Sequence, residues 1–164
     1  MPPYAAVTGW GFYVPEKVLT NHELAGMFDT TDEWIRSRTG IRERHVAAEG
    51  ESTSTMCAAA ARRALAIAEL HPCDLDLILC ATTTPDQLMP ATACVLQDHL
   101  GATNAGAFDI NAACSGFLSA FITGSQFIRA GTCRRVLVVS GETLRGCFKS
   151  RSCSLGLRVA KRIV

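Results

Sequence analysis

The sequence contains no two cysteines separated by two residues, although it has eight cysteines among its 164 residues. Structural zinc sites usually need such closely spaced pairs, so a zinc-binding module is not expected. No apolar run approaches the roughly 20 residues that cross a membrane, and the N-terminal residues lack the basic and apolar regions of a secretory signal. We therefore expect a soluble, cytoplasmic chain without a disulfide framework, in which most cysteines are small buried hydrophobic residues.

Aromatic residues and an excess of one charge are also lacking. Aromatic residues make up only 7% of the chain, against 48% hydrophobic and 19% charged residues, which predicts a packed domain with many small side chains. Sixteen basic and fifteen acidic residues give a formal net charge of +1. No overall field would attract nucleic acid or an anionic membrane, so neither partner is expected.

The C-terminal segment lacks acidic residues altogether. Residues 1–144 carry ten basic and fifteen acidic side chains, whereas residues 145–164 carry six basic side chains and no acidic one. This change in character predicts a domain over 1–144 and a basic tail over 145–164. The tail is either a solvated extension or a segment foreign to the rest of the chain.

Strand and helix signals alternate through residues 1–144. Runs rich in β-branched or apolar residues predict strands over 5–13, 75–81, 107–110 and 135–140. Apolar periodicity predicts helices over 54–70, 92–100 and 115–130. Strands separated by helices imply parallel crossovers. The predicted fold class is therefore α/β, with a mostly parallel sheet covered by helices on both faces.

Two shorter helices are expected near the N-terminus. Asn21 can cap the first, which would run to Met27. Thr30 can cap the second, because Glu33 follows three residues later and completes the pattern of a capping box.

One cysteine stands between a predicted strand and a predicted helix. Residues 111–117 read NAACSGF, so Cys114 has small neighbours on both sides. The unpaired N–H groups and the dipole of a helix N-terminus favour a thiolate, which is the nucleophilic form of cysteine. Cys114 is thus a candidate nucleophile with room for an acyl group. A buried structural cysteine at a tight turn would give the same pattern.

Several motifs in a fixed order resemble one enzyme family. They are DTTDEWI (29–35), RTGIRER (38–44), ATTT (81–84), FDI (108–110), AACSGF (112–117) and SGETL (140–144). Together they resemble β-ketoacyl-acyl-carrier-protein synthase III, of the thiolase superfamily, from about residue 5 to residue 144. The resemblance implies a thiolase-like layered α/β fold, of which this chain would be the N-terminal half.

The resemblance implies roles for five residues. Cys114 matches the nucleophile that takes the acyl group from an acyl-coenzyme A thioester. Trp34 and Arg38 match positions that hold the coenzyme A head group, with the indole on the adenine ring and the guanidinium against base or phosphate. Thr30 matches a smaller polar contact in that site. Met89 matches a residue that reaches across a dimer interface and limits the acyl pocket.

Four of these residues have plainer interpretations. Thr30 can be only a helix cap, Trp34 a core aromatic and Arg38 one half of a surface ion pair. Met89 can simply pack in an interface, which we slightly prefer.

The resemblance also implies a reaction and its partners. The acyl group would be condensed with malonyl-carrier protein, with loss of carbon dioxide, to initiate fatty-acid synthesis. The partners would be acyl-coenzyme A, an acyl carrier protein and a second copy in a homodimer. Coenzyme A is a substrate carrier, and no metal or redox cofactor is implied. Arg42 and Arg44 are either surface charges, which we prefer, or contacts to the acidic carrier protein.

The resemblance stops near residue 145. The family is about twice as long, and its second half supplies a histidine, an asparagine and a glycine-rich backbone donor that this sequence lacks. The four histidines match no catalytic position: His22, His45, His71 and His99. We expect a truncated chain with a divergent or frameshifted tail. It is either an acyltransferase, incomplete here, or a non-catalytic fragment that only folds or associates with a partner.

Overall fold

The computed structural model describes residues 4–143 and divides the chain into two compact units. Among the described residues, the first unit comprises residues 4–13 and 52–143, and the second comprises Val14–Glu51. The predicted domain of residues 1–144 therefore contains two units. The predicted basic tail of residues 145–164 lies outside the described residues.

The second unit combines two helices with a two-stranded ribbon. Its elements are β1 (Val18–Thr20), α1 (Asn21–Ala25), α2 (Asp32–Thr39) and β2 (Glu43–His45). The two strands are antiparallel, with Val18 opposite His45. The buried apolar residues of the two helices are Leu24 and Ile35, each 5% exposed.

The caps of α1 and α2 lie one residue away from their predicted positions. Thr20 caps α1 through a capping box. The hydroxyl of Thr31 caps α2 and accepts a hydrogen bond from the Trp34 N–H at 3.1 Å. The predicted caps Asn21 and Thr30 are wrong, because in each case a neighbouring threonine has the extended backbone that a cap requires.

The first unit contains three strands and three longer helices. In chain order they are α3 (Thr53–Ala68), β3 (Leu77–Ala81), α4 (Thr92–Leu100), β4 (Gly106–Ile110), α5 (Gly116–Arg129) and β5 (Val136–Ser140). The strands form a parallel sheet in the order β4-β3-β5. All three predicted helices and three of the four predicted strands are confirmed to within two residues at each end.

Helices cover both faces of this sheet, and the side chains of its central strand point alternately to the two faces. Ile78 and Cys80 belong to a buried cluster with residues of α3 and α4. Leu77, Leu79 and Ala81 belong to a second cluster with residues of α5. All five residues of β3 are buried, as expected of a strand with helices on both sides. The predicted α/β layering is confirmed.

Residues 5–13 do not form the predicted strand, and only Gly11 makes an isolated β-bridge. The segment instead packs on the backbone of α3. A Cβ atom on Gly9 would collide with the Ala64 carbonyl, and one on Gly11 would collide with the Ala60 carbonyl. The glycines therefore allow close packing against a helix.

Among the helices of residues 4–143, none combines the length and the apolar character that a membrane span requires.

Candidate functional site

Cys114 lies in the turn between β4 and α5, inside a short 3-10 helix at Ala113–Ser115. It is the exposed one among the six described cysteines, so the alternative of a buried structural cysteine is wrong. Ala113 directly before it has a φ of 45°. Residues other than glycine rarely adopt this left-handed conformation, and it is often found at functional sites. The thiol is thus presented by a strained turn.

The first turn of α5 has no side-chain cap. The Ser115 hydroxyl donates to the Ala112 carbonyl at 2.8 Å and leaves the helix N–H groups uncovered. Gly116 sets the helix close to the sheet, because a Cβ atom there would lie 3.3 Å from the Ala81 Cβ. An uncapped helix start stabilises negative charge near it. This arrangement suits an anion beside Cys114.

Glu142 joins two of the motifs noted in the sequence. Its Oε1 accepts the Thr83 N–H at 2.8 Å, and its Oε2 accepts the hydroxyls of Thr83 at 2.9 Å and Thr84 at 2.6 Å. The Thr143 N–H donates to the Thr84 hydroxyl at 2.8 Å. Charge-assisted hydrogen bonds of this kind are stronger than neutral ones. They tie the segments after β3 and β5 to each other.

The Glu142 bonds and Cys114 lie at the same edge of the sheet. Ala81 at the end of β3 is in register with Ile110 on β4 and with Ser140 on β5. In a parallel sheet the segments beyond these residues meet at the carboxyl edge, where α/β proteins place their ligands. The role of Glu142 was not predicted from the sequence. It could have been inferred from the positions of ATTT (81–84) and SGETL (140–144), because each motif follows a strand that was predicted to lie in a parallel sheet.

Two aspartates outside the helices fix the starts of α3 and α4. Asp86 accepts the Ser54 N–H at 3.2 Å. Asp109, within β4, accepts the N–H groups of Thr92 at 2.8 Å and Ala93 at 2.7 Å. The FDI motif therefore positions α4, whose own N-cap residue makes no side-chain cap bond.

Met89 lies in the loop between β3 and α4. It is 81% exposed, and its neighbour Leu88 is 88% exposed. Neither belongs to the hydrophobic clusters of the described residues. Met89 is therefore at the surface of this chain, and its role in an acyl pocket or an interface stays a prediction.

Trp34 and Arg38 lie one turn apart on α2. The guanidinium carbon of Arg38 is 5.6 Å from the centroid of the Trp34 ring. Trp34 is 46% exposed, so it is not a core aromatic residue. Arg38 forms no ion pair with any residue of the described range, so that alternative is also wrong. An exposed indole with a cation over it is suited to a planar base and a phosphate.

The hydroxyl of Thr30 is buried and has no hydrogen-bond partner among residues 4–143. Thr31 rather than Thr30 caps α2, so the interpretation of Thr30 as a helix cap is wrong. A buried hydroxyl without a partner costs about 1–3 kcal/mol. A contact to a ligand remains the prediction for Thr30.

Arg44 is not a free surface charge, although Arg42 is exposed. The Nη1 of Arg44 donates to the Asn21 Oδ1 at 2.8 Å. Partial burial lowers the pKa of Arg44. Arg44 is therefore partly buried and held by Asn21, a residue that was predicted only to cap a helix.

The other described cysteines differ in exposure. Cys57 and Cys80 are buried, whereas Cys73, Cys94 and Cys133 are partly exposed. The prediction that most cysteines are buried is thus wrong for the six described, of which two are buried. A hydrogen bond with Cys57, together with burial, raises the pKa of Cys80. Cys80 therefore stays protonated and unreactive.

Comparisons with known proteins agree with this geometry. The sequence model of the family 3-Oxoacyl-[acyl-carrier-protein (ACP)] synthase III matches residues 108–157, which include Cys114 and α5. The β-ketoacyl-[acyl-carrier-protein] synthase III of Xylella fastidiosa strain Temecula1 is 57% identical over 141 residues, which are 86% of this chain and 44% of that protein. The chain belongs to the synthase III family.

Solved structures of the synthase III family share this fold. The 3-oxoacyl-[acyl-carrier-protein] synthase III from Aquifex aeolicus matches with a TM-score of 0.86 and 43% identity, over 95% of this chain and 50% of that chain. The priming β-ketosynthase of the R1128 polyketide pathway matches with a TM-score of 0.85 and 37% identity, over 93% of this chain and 47% of that chain. The predicted thiolase-like α/β fold is confirmed. The chain spans about half the length of these relatives.

Proposed function

We propose that Cys114 accepts an acyl group from acyl-coenzyme A. The Cys114 thiolate attacks the thioester carbonyl, a new carbon–sulfur bond forms, and the bond to the coenzyme A sulfur breaks. Coenzyme A leaves as a thiolate and takes a proton from water. The observation that carries this proposal is the exposed thiol in a strained turn before the uncapped start of α5. The exchange replaces one thioester by another, so the acyl group can be passed on.

The complete protein is proposed to condense this acyl group with malonyl-carrier protein, releasing carbon dioxide. The names of the relatives support this activity. It would make the protein a transferase that initiates fatty-acid synthesis. The proposed partners are acyl-coenzyme A and an acyl carrier protein.

Coenzyme A binding is proposed for the surface of α2. Trp34 would stack on the adenine ring, Arg38 would contact base or phosphate, and the Thr30 hydroxyl would form a smaller polar contact. The exposure of Trp34, the position of Arg38 over it and the unsatisfied Thr30 hydroxyl support this proposal. Stacking of a base on an aromatic side chain contributes about 1–3 kcal/mol.

A homodimer is proposed for the complete protein, with Met89 reaching toward the acyl pocket of the second copy. Two observations support it. Leu88 and Met89 project two large apolar side chains from one exposed loop. Among the described strands β4 pairs only with β3, so its other edge is open to a strand of the second copy.

We further propose a cytoplasmic location and no resident cofactor, since coenzyme A would act as substrate. All six described cysteines are free thiols, which suits a reducing compartment. Cysteine acylation needs no electron transfer and no metal.

Association with a partner, without catalysis, is the second candidate function. It is favoured by the outer face of α5, where Leu118 is 59% exposed and Ile122 is 51% exposed. The chain also spans only about half of its relatives. The proposed occupant of this face is the remaining half of a synthase III chain.

Release of free coenzyme A distinguishes the two candidates. The 164-residue chain is mixed with an excess of acetyl-coenzyme A, and free coenzyme A is followed by chromatography and mass spectrometry. Acyl transfer predicts a burst close to one equivalent per chain, which Cys114→Ser removes. Equal slow release by both proteins would refute acyl transfer and leave association as the candidate function.

A further inference from the structure

We propose that Asn21 is the positioning residue of the coenzyme A surface, because its side-chain hydrogen bonds hold α2 in the unit formed by residues 14–51. Asn21 acts through α2 and forms no hydrogen bond with Trp34 or Arg38. The inference rests on the proposed binding of coenzyme A by those two residues. The sequence predicted Asn21 only as a helix cap.

The side chain of Asn21 is only 1% exposed and uses all of its hydrogen-bonding groups. Its Nδ2 donates to Asp32 Oδ1 at 2.9 Å and to the Ile41 carbonyl at 2.7 Å. Its Oδ1 accepts from Arg44 Nη1 at 2.8 Å. A side-chain amide has two donor hydrogens and one acceptor oxygen, so these three bonds satisfy it. Buried and fully bonded, Asn21 has one defined orientation.

The two residues that accept from Asn21 lie at opposite ends of α2 along the chain. Asp32 is the first residue of the helix, and Ile41 directly follows Gly40, which ends the helix with a φ of 71°. One amide nitrogen therefore holds both the start of α2 and the segment that leaves it. Ile35 provides the buried apolar contact of the same helix. These contacts fix the helix that carries Trp34 and Arg38.

The bond from Asn21 also favours the ionised form of Asp32. It is the largest cause that lowers the pKa of Asp32, and it outweighs the opposing effect of burial. The ionised carboxylate also accepts from Arg36 Nη1 at 3.4 Å. A second carboxylate in place of the amide would therefore repel Asp32 and push α2 away from its position.

This repulsion defines the test. Asn21→Asp keeps the size of the side chain and an acceptor for Arg44, but it removes both donors and places a carboxylate beside Asp32. The double variant Asn21→Asp with Asp32→Asn reverses the direction of that hydrogen bond and removes the repulsion. Asn104→Asp is the matched control, because the Asn104 amide also donates to a carbonyl, that of Cys73 at 2.8 Å, in the other unit.

Two measurements are made on the full chain. Deuterium exchange of the backbone amides of residues 32–41 reports whether α2 is held. Quenching of Trp34 fluorescence by coenzyme A gives the dissociation constant, in a Trp10→Phe background that removes the other of the two tryptophans. We expect Asn21→Asp to speed exchange and weaken binding about tenfold, as for the loss of a hydrogen bond to a charged group. The double variant restores the bond between residues 21 and 32 but not the bond to the Ile41 carbonyl, so it recovers part of both. Asn104→Asp changes neither.

Several results would overturn the inference. These are unchanged exchange in Asn21→Asp, faster exchange with unchanged affinity, or failure of the double variant to recover affinity. If Asn21→Asp unfolds the unit formed by residues 14–51, the double variant provides the test. Normal exchange of its α2 amides together with weak binding of coenzyme A would contradict a positioning role for Asn21. If the unaltered chain does not bind coenzyme A, the proposed head-group site fails. The exchange data then still decide whether Asn21 holds α2.

Discussion

The guanidinium of Arg38 lies over the indole of Trp34, with its central carbon 5.6 Å from the ring centroid. Both side chains are on α2, and the indole is nearly half exposed. A planar base can stack on the same aromatic surface, and the guanidinium can contact a phosphate. This pair is therefore the place where coenzyme A binding is tested most simply.

Trp34→Ala is expected to weaken coenzyme A binding about tenfold, because it removes the stacking surface. Isothermal titration gives the dissociation constant. Arg36→Ala is the control, since it removes a charge from the same helix but breaks only an exposed pair with Asp32 at 3.4 Å. A loss in Arg36→Ala together with unchanged affinity in Trp34→Ala would show that charge on α2, rather than stacking, governs binding.

Cys114 is expected to react fastest with iodoacetamide near neutral pH, because it is the exposed thiol among the described cysteines. Peptide mapping after partial labelling gives the order of reaction. Cys73→Ser is the control and should leave the first labelling step unchanged. Similar rates at all eight cysteines under native conditions would mean that the turn at Cys114 is not formed.

Glu142→Gln is expected to lower the free energy of unfolding by about 1–3 kcal/mol, because three charge-assisted hydrogen bonds are weakened or lost. Urea denaturation measures this change. Glu49→Gln, at an exposed position, should stay within about 0.5 kcal/mol of the unaltered chain. Equal stability of the two variants would show that Glu142 does not tie the segments after β3 and β5.

Asp76 makes stability depend on pH. The backbone N–H of Arg135, and then that of Arg134, lower the pKa of Asp76 by donating to its Oδ2. A carboxylate with a lowered folded pKa stabilises the fold above its unfolded pKa of about 3.9, and this contribution is lost as pH falls through the folded pKa. Asp76→Asn is therefore expected to be less stable than the unaltered chain near neutral pH.

The difference should shrink when the pH is lowered to about 3, which urea unfolding at the two pH values measures. Asp98→Asn, at an exposed position, is the control for the removal of a carboxylate elsewhere in the chain. If the difference in the free energy of unfolding between Asp76→Asn and the unaltered chain stays constant with pH, Asp76 is not the source of the pH dependence.

The spacing of apolar residues predicted those helices and strands in which buried side chains recur at regular intervals. The bounds of α4 at residues 92–100 are confirmed, because its apolar spacing and the following Gly101 mark both of its ends. Residues 5–13 have the β-branched and aromatic residues of a strand but pack on α3 through Gly9 and Gly11. Composition cannot distinguish a glycine that allows close helix packing from one within a strand.

The candidate site was predictable where one residue carries the chemistry. Cys114 is indicated by its small neighbours and by the change from strand to helix around it. Asn21 and Glu142 act through hydrogen bonds to segments distant in sequence, with partners as far away as Arg44 and Thr83. Such pairings depend on the folded arrangement of the chain, and a single sequence contains no local pattern for them.

Intact-mass spectrometry of the 164-residue chain after incubation with acetyl-coenzyme A tests the central claim most directly. Acyl transfer to Cys114 predicts one added acetyl group per chain, located by peptide mapping on the peptide that contains Cys114. Neutral hydroxylamine should remove it, because it is a thioester, and Cys114→Ser should not form it. An unmodified chain, or an acetyl group that persists in Cys114→Ser, would contradict the assignment of Cys114 as the acyl acceptor.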